Sequence, residues 1–218
     1  MRRAPALIVA IDGGVASGKS AVGRRVAERL GLPFIDSGLM YRAIAALAAD
    51  ERIDQDDAPS LARLAGRVKI RVEGRRVWAD GRELTERVYD PGLNPMLARV
   101  SKVAGVRVAL VAQQRALGRA GLVMAGRDIG TVVFPDAGFK FFLTAGLDER
   151  VRRRAAQFEA RGEAVDAEAM RREVAERDRA DSERTVAPLR PADDAIIIET
   201  DDLDLEQTVE KVLSFLDA

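Results

Sequence analysis

The chain has 218 residues, 47% of them hydrophobic, and its 35 basic and 35 acidic side chains give a formal net charge of zero. That balance argues against a dedicated binder of long nucleic acid, which carries a basic excess, and leaves small anions held by a local cationic cluster. Cysteine and histidine are both absent, which excludes disulfides, thiol nucleophiles, zinc held by thiolate or imidazole, and every hydrolytic triad built on histidine.

The first element read along the chain is the apolar run 6–11 (ALIVAI), a buried parallel strand. Residues 12–17 form a turn and 18–30 a helix. A short strand at 33–35 ends at Asp36-Ser37-Gly38, and 39–49 is an alanine-rich helix. Residues 50–59 are polar and acidic, a connection. Between 67 and 84 the pattern changes: Val68, Ile70 and Val72 alternate with polar residues, and Asp80-Gly81 follows Val77-Trp78-Ala79, as in an antiparallel meander with a tight hairpin turn. Residues 94–119 read as one helix, 122–125 and 139–143 as strands, 147–161 and 167–185 as charged helices, 195–198 as the last strand and 205–216 as the last helix. Strands alternating with helices predict a parallel sheet covered on both faces, with the meander as an inserted lobe.

No run approaches the roughly 20 apolar residues of a membrane span, and the start of the chain lacks a signal-peptide layout. No membrane partner, no nucleic-acid polymer and a cytoplasmic location are expected.

The segment Gly13-Gly14-Val15-Ala16-Ser17-Gly18-Lys19-Ser20 fits the phosphate-loop pattern G-x-x-x-x-G-K-[ST]. Glycines let the backbone turn its N–H groups inward as an anion cradle, and the following helix adds its positive end. Gly13 to Ala21 are therefore the expected ATP-binding residues. Lys19 would reach the β- and γ-phosphates, and the Ser20 hydroxyl would ligate Mg²⁺. The guanine-reading motif N-K-x-D is absent, and no apolar strand ends in the paired acids of a motor ATPase. A small kinase fits better and needs a second site for its acceptor. Arginine outnumbers lysine heavily, with lysine only at 19, 69, 102, 140 and 211, so only arginines at specific spacings count toward that site.

Five segments, IDGGVASGKS (11–20), FIDSGLMYR (34–42), AGRDIGTVVFPDA (125–137), DERVRRR (148–154) and ERDRADSERTVAPL (176–189), resemble the bacterial cytidylate kinase family. The resemblance runs from the first strand to the final helix. It implies a P-loop kinase fold with core segments 1–50, 111–148 and 187–218, a monophosphate-binding lobe at about 51–110 and a helical lid at about 149–186. It implies transfer of a phosphoryl group from ATP to CMP or dCMP with Mg²⁺, by a chain expected to be a monomer. Ser37, Arg42 and Arg127 would hold the acceptor phosphate, while Asp128 with Ser101 and Arg107 would read the base. Arg99 and Lys102 compete with Arg107 for that role. Arg177, Asp181 and Arg184 share one helix face by their spacing and would contact the acceptor sugar and base. Arg153 and Arg154, with Arg161 as a weaker candidate, would join Lys19 and Arg127 in stabilising the transferring phosphoryl.

One position departs from the family pattern. Ala125 stands before Gly126-Arg127-Asp128, where an acidic residue would hold Mg²⁺ through water, and Asp36 is the substitute that this reading offers. The alternatives are a P-loop kinase for UMP or a non-nucleotide alcohol, and a nucleotide-binding regulator without turnover, which Ala125 would favour.

Overall fold

The computed structural model describes residues 6–160, 162 and 164–216. The first apolar run becomes β1 (Ile8–Gly13), buried along almost its whole length. The phosphate loop leads into α1 (Lys19–Leu30), which stops at Gly31 in the left-handed region, whose N–H returns to the Ala27 and Glu28 carbonyls. After β2 (Phe34–Asp36), the Asp36 carboxylate accepts from the Gly38 N–H at 3.0 Å and so starts α2 (Ser37–Asp50). Asp57 caps α3 (Ala58–Arg67), with Pro59 in the first turn, so the expected connection ends two residues early.

The inserted lobe holds β3 (Ile70–Glu73), β4 (Arg76–Ala79) and β5 (Arg82–Glu83) in an antiparallel sheet of that order. Asp80 and Gly81 join the last two with positive φ angles of 48° and 84°, as a two-residue hairpin turn requires. A short α4 (Thr85–Val88) and a 3-10 turn at Pro91–Leu93 follow.

The span 94–119 is not one helix. It divides into α5 (Asn94–Val100) and α6 (Ala104–Leu117), with Val103 extended at ψ 115°. The break re-aims α6 so that Gly105 closes on Ala62 of α3, where an added Cβ would lie 2.5 Å from the Ala62 Cβ. The carbonyl of Ser101, left at the break, accepts from the Arg107 guanidinium at 3.2 Å.

β6 (Leu122–Gly126) is followed by a π-helical turn at Ile129–Val133, then β7 (Phe139–Thr144), α7 (Leu147–Glu159), α8 (Ala167–Ser182), β8 (Ile196–Glu199) and α9 (Leu205–Ser214). The main sheet is wholly parallel in the order β2-β6-β1-β7-β8. One face buries Val9, Ile11, Phe34 and Phe141 against α1 and α9; the other buries Ala10, Ile35 and Met124 against α2 and α6. This is the α/β P-loop fold that the sequence predicts. Parallel strands deliver their carboxyl ends to one edge, so Gly13, Asp36 and Gly126 meet there, where open α/β sheets bind ligands. Among the described residues no helix is long and apolar enough to cross a membrane.

Candidate active site

The phosphate loop depends on one left-handed turn. Gly18, at φ 87°, starts α1 in a conformation that a side chain would strain, and Ala16 accepts positive φ at 56°. Lys19 is buried and donates from Nζ to the Gly14 carbonyl at 2.8 Å. Burial, and then the nearby Arg127 charge, lower its pKa to about 7. An anion beside it would restore the ammonium, so the loop is electrostatically short of negative charge. Val15, Ala16, Gly18, Lys19, Ser20 and Ala21 line one end of a cleft of about 400 Å³, which Gly13, Gly14 and Ser17 do not line. That volume lies within the usual range of small-molecule sites.

The Ser20 Oγ donates to Asp36 Oδ2 at 2.7 Å. Asp36 pairs in register with Ala125 on the adjacent strand, and Ala125 is fully buried. A hydroxyl beside a carboxylate is a hard-oxygen donor set that suits Mg²⁺. No three acidic residues among those described gather into a complete metal site.

The other end of the cleft carries the acceptor candidates. The Ser37 Oγ donates to the Ala125 carbonyl at 2.9 Å. Arg42 reaches out from α2 to the Val88 carbonyl and to Asn94 Oδ1, both at 3.1 Å. The Arg127 Nε meets Asp181 Oδ2 at 2.8 Å, and the Arg184 Nε donates to the Asp181 carbonyl at 3.2 Å. Burial alone would raise the Asp181 carboxyl, but Arg127 and its other cationic neighbours outweigh this and hold it below the usual range. Arg177 is depressed by burial first and then by Arg127, with Arg42 and Arg154 adding to the effect. The Arg42, Arg127, Arg154 and Arg177 guanidinium groups therefore disfavour one another, and an anion entering the cleft would relieve this.

Deeper still, Arg107 and Asp128 form an ion pair with only 4% and 7% of their side chains exposed. The Arg107 guanidinium also lies 5.4 Å from the centre of the Tyr41 ring, and burial pushes the Tyr41 hydroxyl up to about 12. Ser101, at the α5–α6 break, lines the same region. The rivals of Arg107 for base reading lie elsewhere: Arg99 is an exposed partner of Asp56, and Lys102 lines a separate shallow surface.

The charged helices close one side. Arg154 lines the cleft, within 3.9 Å of Glu173 and over the Phe158 ring. Arg153 points instead to Glu149 and Thr200 at 2.7 and 2.9 Å, and passes close to Gly18. It therefore sits on the phosphate-loop side rather than in the cleft. Arg161 lies outside the described residues.

Two acids beside the site carry no role in the sequence reading. Asp178 accepts from the Val15 N–H at 3.2 Å and pairs with Arg150, which also donates to the Val15 carbonyl at 3.3 Å. Helices α7 and α8 thus both grip the tip of the phosphate loop. Asp12, at the end of β1, accepts from the turn after Asp128. The signal for Asp178 was its position beside Arg177 in the charged stripe; for Asp12 it was an acid ending an otherwise apolar strand.

Comparisons with known proteins give the family of the chain. A family model described as cytidylate kinase matches residues 9–218. A cytidylate kinase from Pelotomaculum thermopropionicum is 44% identical over 216 residues, covering 96% of each chain. A bifunctional pantoate ligase/cytidylate kinase from Synechococcus sp. (strain JA-3-3Ab) is 45% identical over 214 residues, which are 94% of this chain and 40% of that relative. The chain thus spans less than half the length of the bifunctional relatives it matches. A solved structure of an uncharacterized protein from Eubacterium ventriosum is 12% identical with a TM-score of 0.56, covering 97% of this chain and 99% of that one, a likeness of fold alone.

Proposed function

The chain belongs to the cytidylate kinase family, and on that premise we propose that it transfers the γ-phosphoryl group of ATP to CMP or dCMP, giving ADP and CDP or dCDP. The observation that carries this reading is the single cleft with Lys19 and Ser20 at one end and the Arg107–Asp128 pair at the other. A triphosphate and a monophosphate bound at those ends would face each other across the arginine cluster.

The chemistry follows from the residues. A monophosphate is largely dianionic at neutral pH, since its second pKa is about 6, so its oxygen attacks without a general base. The absence of histidine is then no handicap. An acceptor oxygen forms the new bond to the γ-phosphorus as the bond to the ADP oxygen breaks. Arg42 and Arg127 would hold the acceptor phosphate in line, with Ser37 beside it. Lys19 and Arg154 would offset the charge spread over the equatorial oxygens, and Arg153, held by Glu149 and Thr200, would join them only by turning toward the cleft. Asp128 would accept from the cytosine amino group, with Ser101 and Arg107 at the base edge, while Arg177, Asp181 and Arg184 would hold the sugar side.

Mg²⁺, when bound, neutralises the β- and γ-phosphate oxygens. Ser20 would hold it directly and Asp36 through water, which supplies the carboxylate that Ala125 lacks. That carboxylate counts against a regulator without turnover. In this reading the lobe at about 51–110 carries the acceptor, the segment at about 149–186 closes over it, and the chain acts as a cytoplasmic monomer.

A coupled assay of ADP release with CMP, dCMP, UMP and AMP tests the proposal. Turnover on CMP or dCMP well above UMP is expected. Equal or greater turnover on UMP would reassign the acceptor.

A further inference from the structure

One buried acid has no part in the reaction as described. Asp12 is the penultimate residue of β1, directly before the phosphate loop, and is only 4% exposed. Both of its carboxylate oxygens are engaged: Oδ1 accepts from the Ile129 N–H and Oδ2 from the Gly130 N–H, each at 2.8 Å. These are the first two amides of the turn Ile129–Val133, for which Asp128 is the N-cap residue and offers no side-chain hydrogen bond of its own. Amides at the start of a helical turn have no partner inside it, and burying them without one carries their full desolvation cost.

The backbone of Asp12 meets the same segment from the other side. Asp12 pairs in register with Gly126 on β6. Gly126 in turn is packed so closely that an added Cβ would lie 2.6 Å from both the Ser37 Oγ and the Ile129 side chain. Asp12 therefore brackets Arg127 and Asp128: its strand register fixes the residue before them, and its carboxylate fixes the two residues after them.

We infer that Asp12 is a positioning residue for the acceptor site, anchoring the turn that aims Arg127 and Asp128 into the cleft and so setting acceptor affinity and base choice without touching the acceptor. The inference rests on the acceptor roles proposed above for Arg127 and Asp128. An uncharged side chain cannot do the same work. Asparagine offers one acceptor oxygen and turns an N–H donor toward the second amide, and a protonated carboxyl has the same defect. Burial raises the Asp12 pKa to about 6; the facing charges are Asp128, which pushes it further up, and Lys19, which pulls it down.

The test is Asp12→Asn assayed with ATP and CMP. At about pH 8 the KM for CMP is expected to rise about tenfold or more and the preference for CMP over UMP to fall, with the KM for ATP moving less than about threefold, since angstrom-scale misplacement is costly only where it occurs. On acidification below about pH 6 the wild-type KM for CMP should approach that of the variant. The acceptor phosphate also titrates near pH 6, but equally in both proteins, so the ratio of the two profiles is read. An unchanged KM and base preference, or equal rises for both substrates, would overturn the inference. Should the variant not fold, the wild type serves: its Ile129 and Gly130 amide proton shifts should titrate together with a midpoint at about pH 6, and no joint titration would overturn it. Failure of the underlying reading is distinct, because the wild type would then not turn over CMP at all.

Discussion

The Ser20 hydroxyl donates to the Asp36 carboxylate at 2.7 Å, and Asp36 stands in register opposite Ala125. The position one strand over lacks an acid, so the carboxylate nearest the phosphate-loop serine is supplied by β2. Asp36→Asn should raise the Mg²⁺ concentration for half-maximal activity by about tenfold, the lower end of what a lost outer-shell metal partner costs. Adding Ala125→Asp to that variant should recover part of the loss. Mg²⁺ titrations, together with Mn²⁺ binding to the ATP complex followed by electron paramagnetic resonance, check this. An unchanged metal requirement in Asp36→Asn would remove Asp36 from the account.

The Arg107–Asp128 pair is almost wholly buried. Removing only the cation leaves a buried carboxylate without a partner, which costs about 3 kcal/mol or more. For a chain of this size Arg107→Met should lower the melting temperature by about 6–12 °C. The double variant Arg107→Met, Asp128→Asn should regain most of that stability while losing base preference. Calorimetry on the two variants separates the structural cost from the functional one.

Asp178 and Arg150 hold the tip of the phosphate loop through Val15. Loss of one charge-assisted hydrogen bond there is worth about 1.5 kcal/mol or more. Asp178→Asn should therefore raise the KM for ATP about tenfold and leave the KM for CMP nearly unchanged. Equal effects on both substrates would show that the contact serves the lid as a whole.

Asp12 also predicts an opposed pair of pH trends. Its ordinary value of 3.8 in an unfolded chain rises to about 6 in the fold. Between those values the fold binds the proton more tightly than the unfolded chain, so this residue's contribution to stability grows as pH falls and is lost as pH rises through about 6. Relative to Asp12→Asn, the wild type should gain thermal stability on acidification from about pH 6 to pH 4 while its acceptor affinity declines. Melting curves of the two proteins across that range measure the difference.

The parts legible in the sequence were those written locally. The phosphate loop, the apolar β1 and the Asp80-Gly81 hairpin each depend on neighbours within a few residues, so spacing and turn chemistry reveal them. The break at Ser101–Val103 was not legible, because its cause is distant: α6 must close on Ala62, some forty residues earlier. The partners of Asp12 lie 117 and 118 residues away, and that of the Val15 N–H 163 residues away. No periodicity encodes such pairs. Arg153 shows a related limit, since the resemblance grouped it with Arg154 but could not say that it turns to Thr200.

The most direct measurement follows the phosphoryl group itself. With ATP labelled at the γ-position and CMP present, the label should move into CDP, and Lys19→Met or Arg127→Ala should slow that transfer by two orders of magnitude or more, about the cost of removing one preorganised charge from a transfer site. Label that stays in ATP, or leaves as inorganic phosphate while ATP binding persists, would contradict the account.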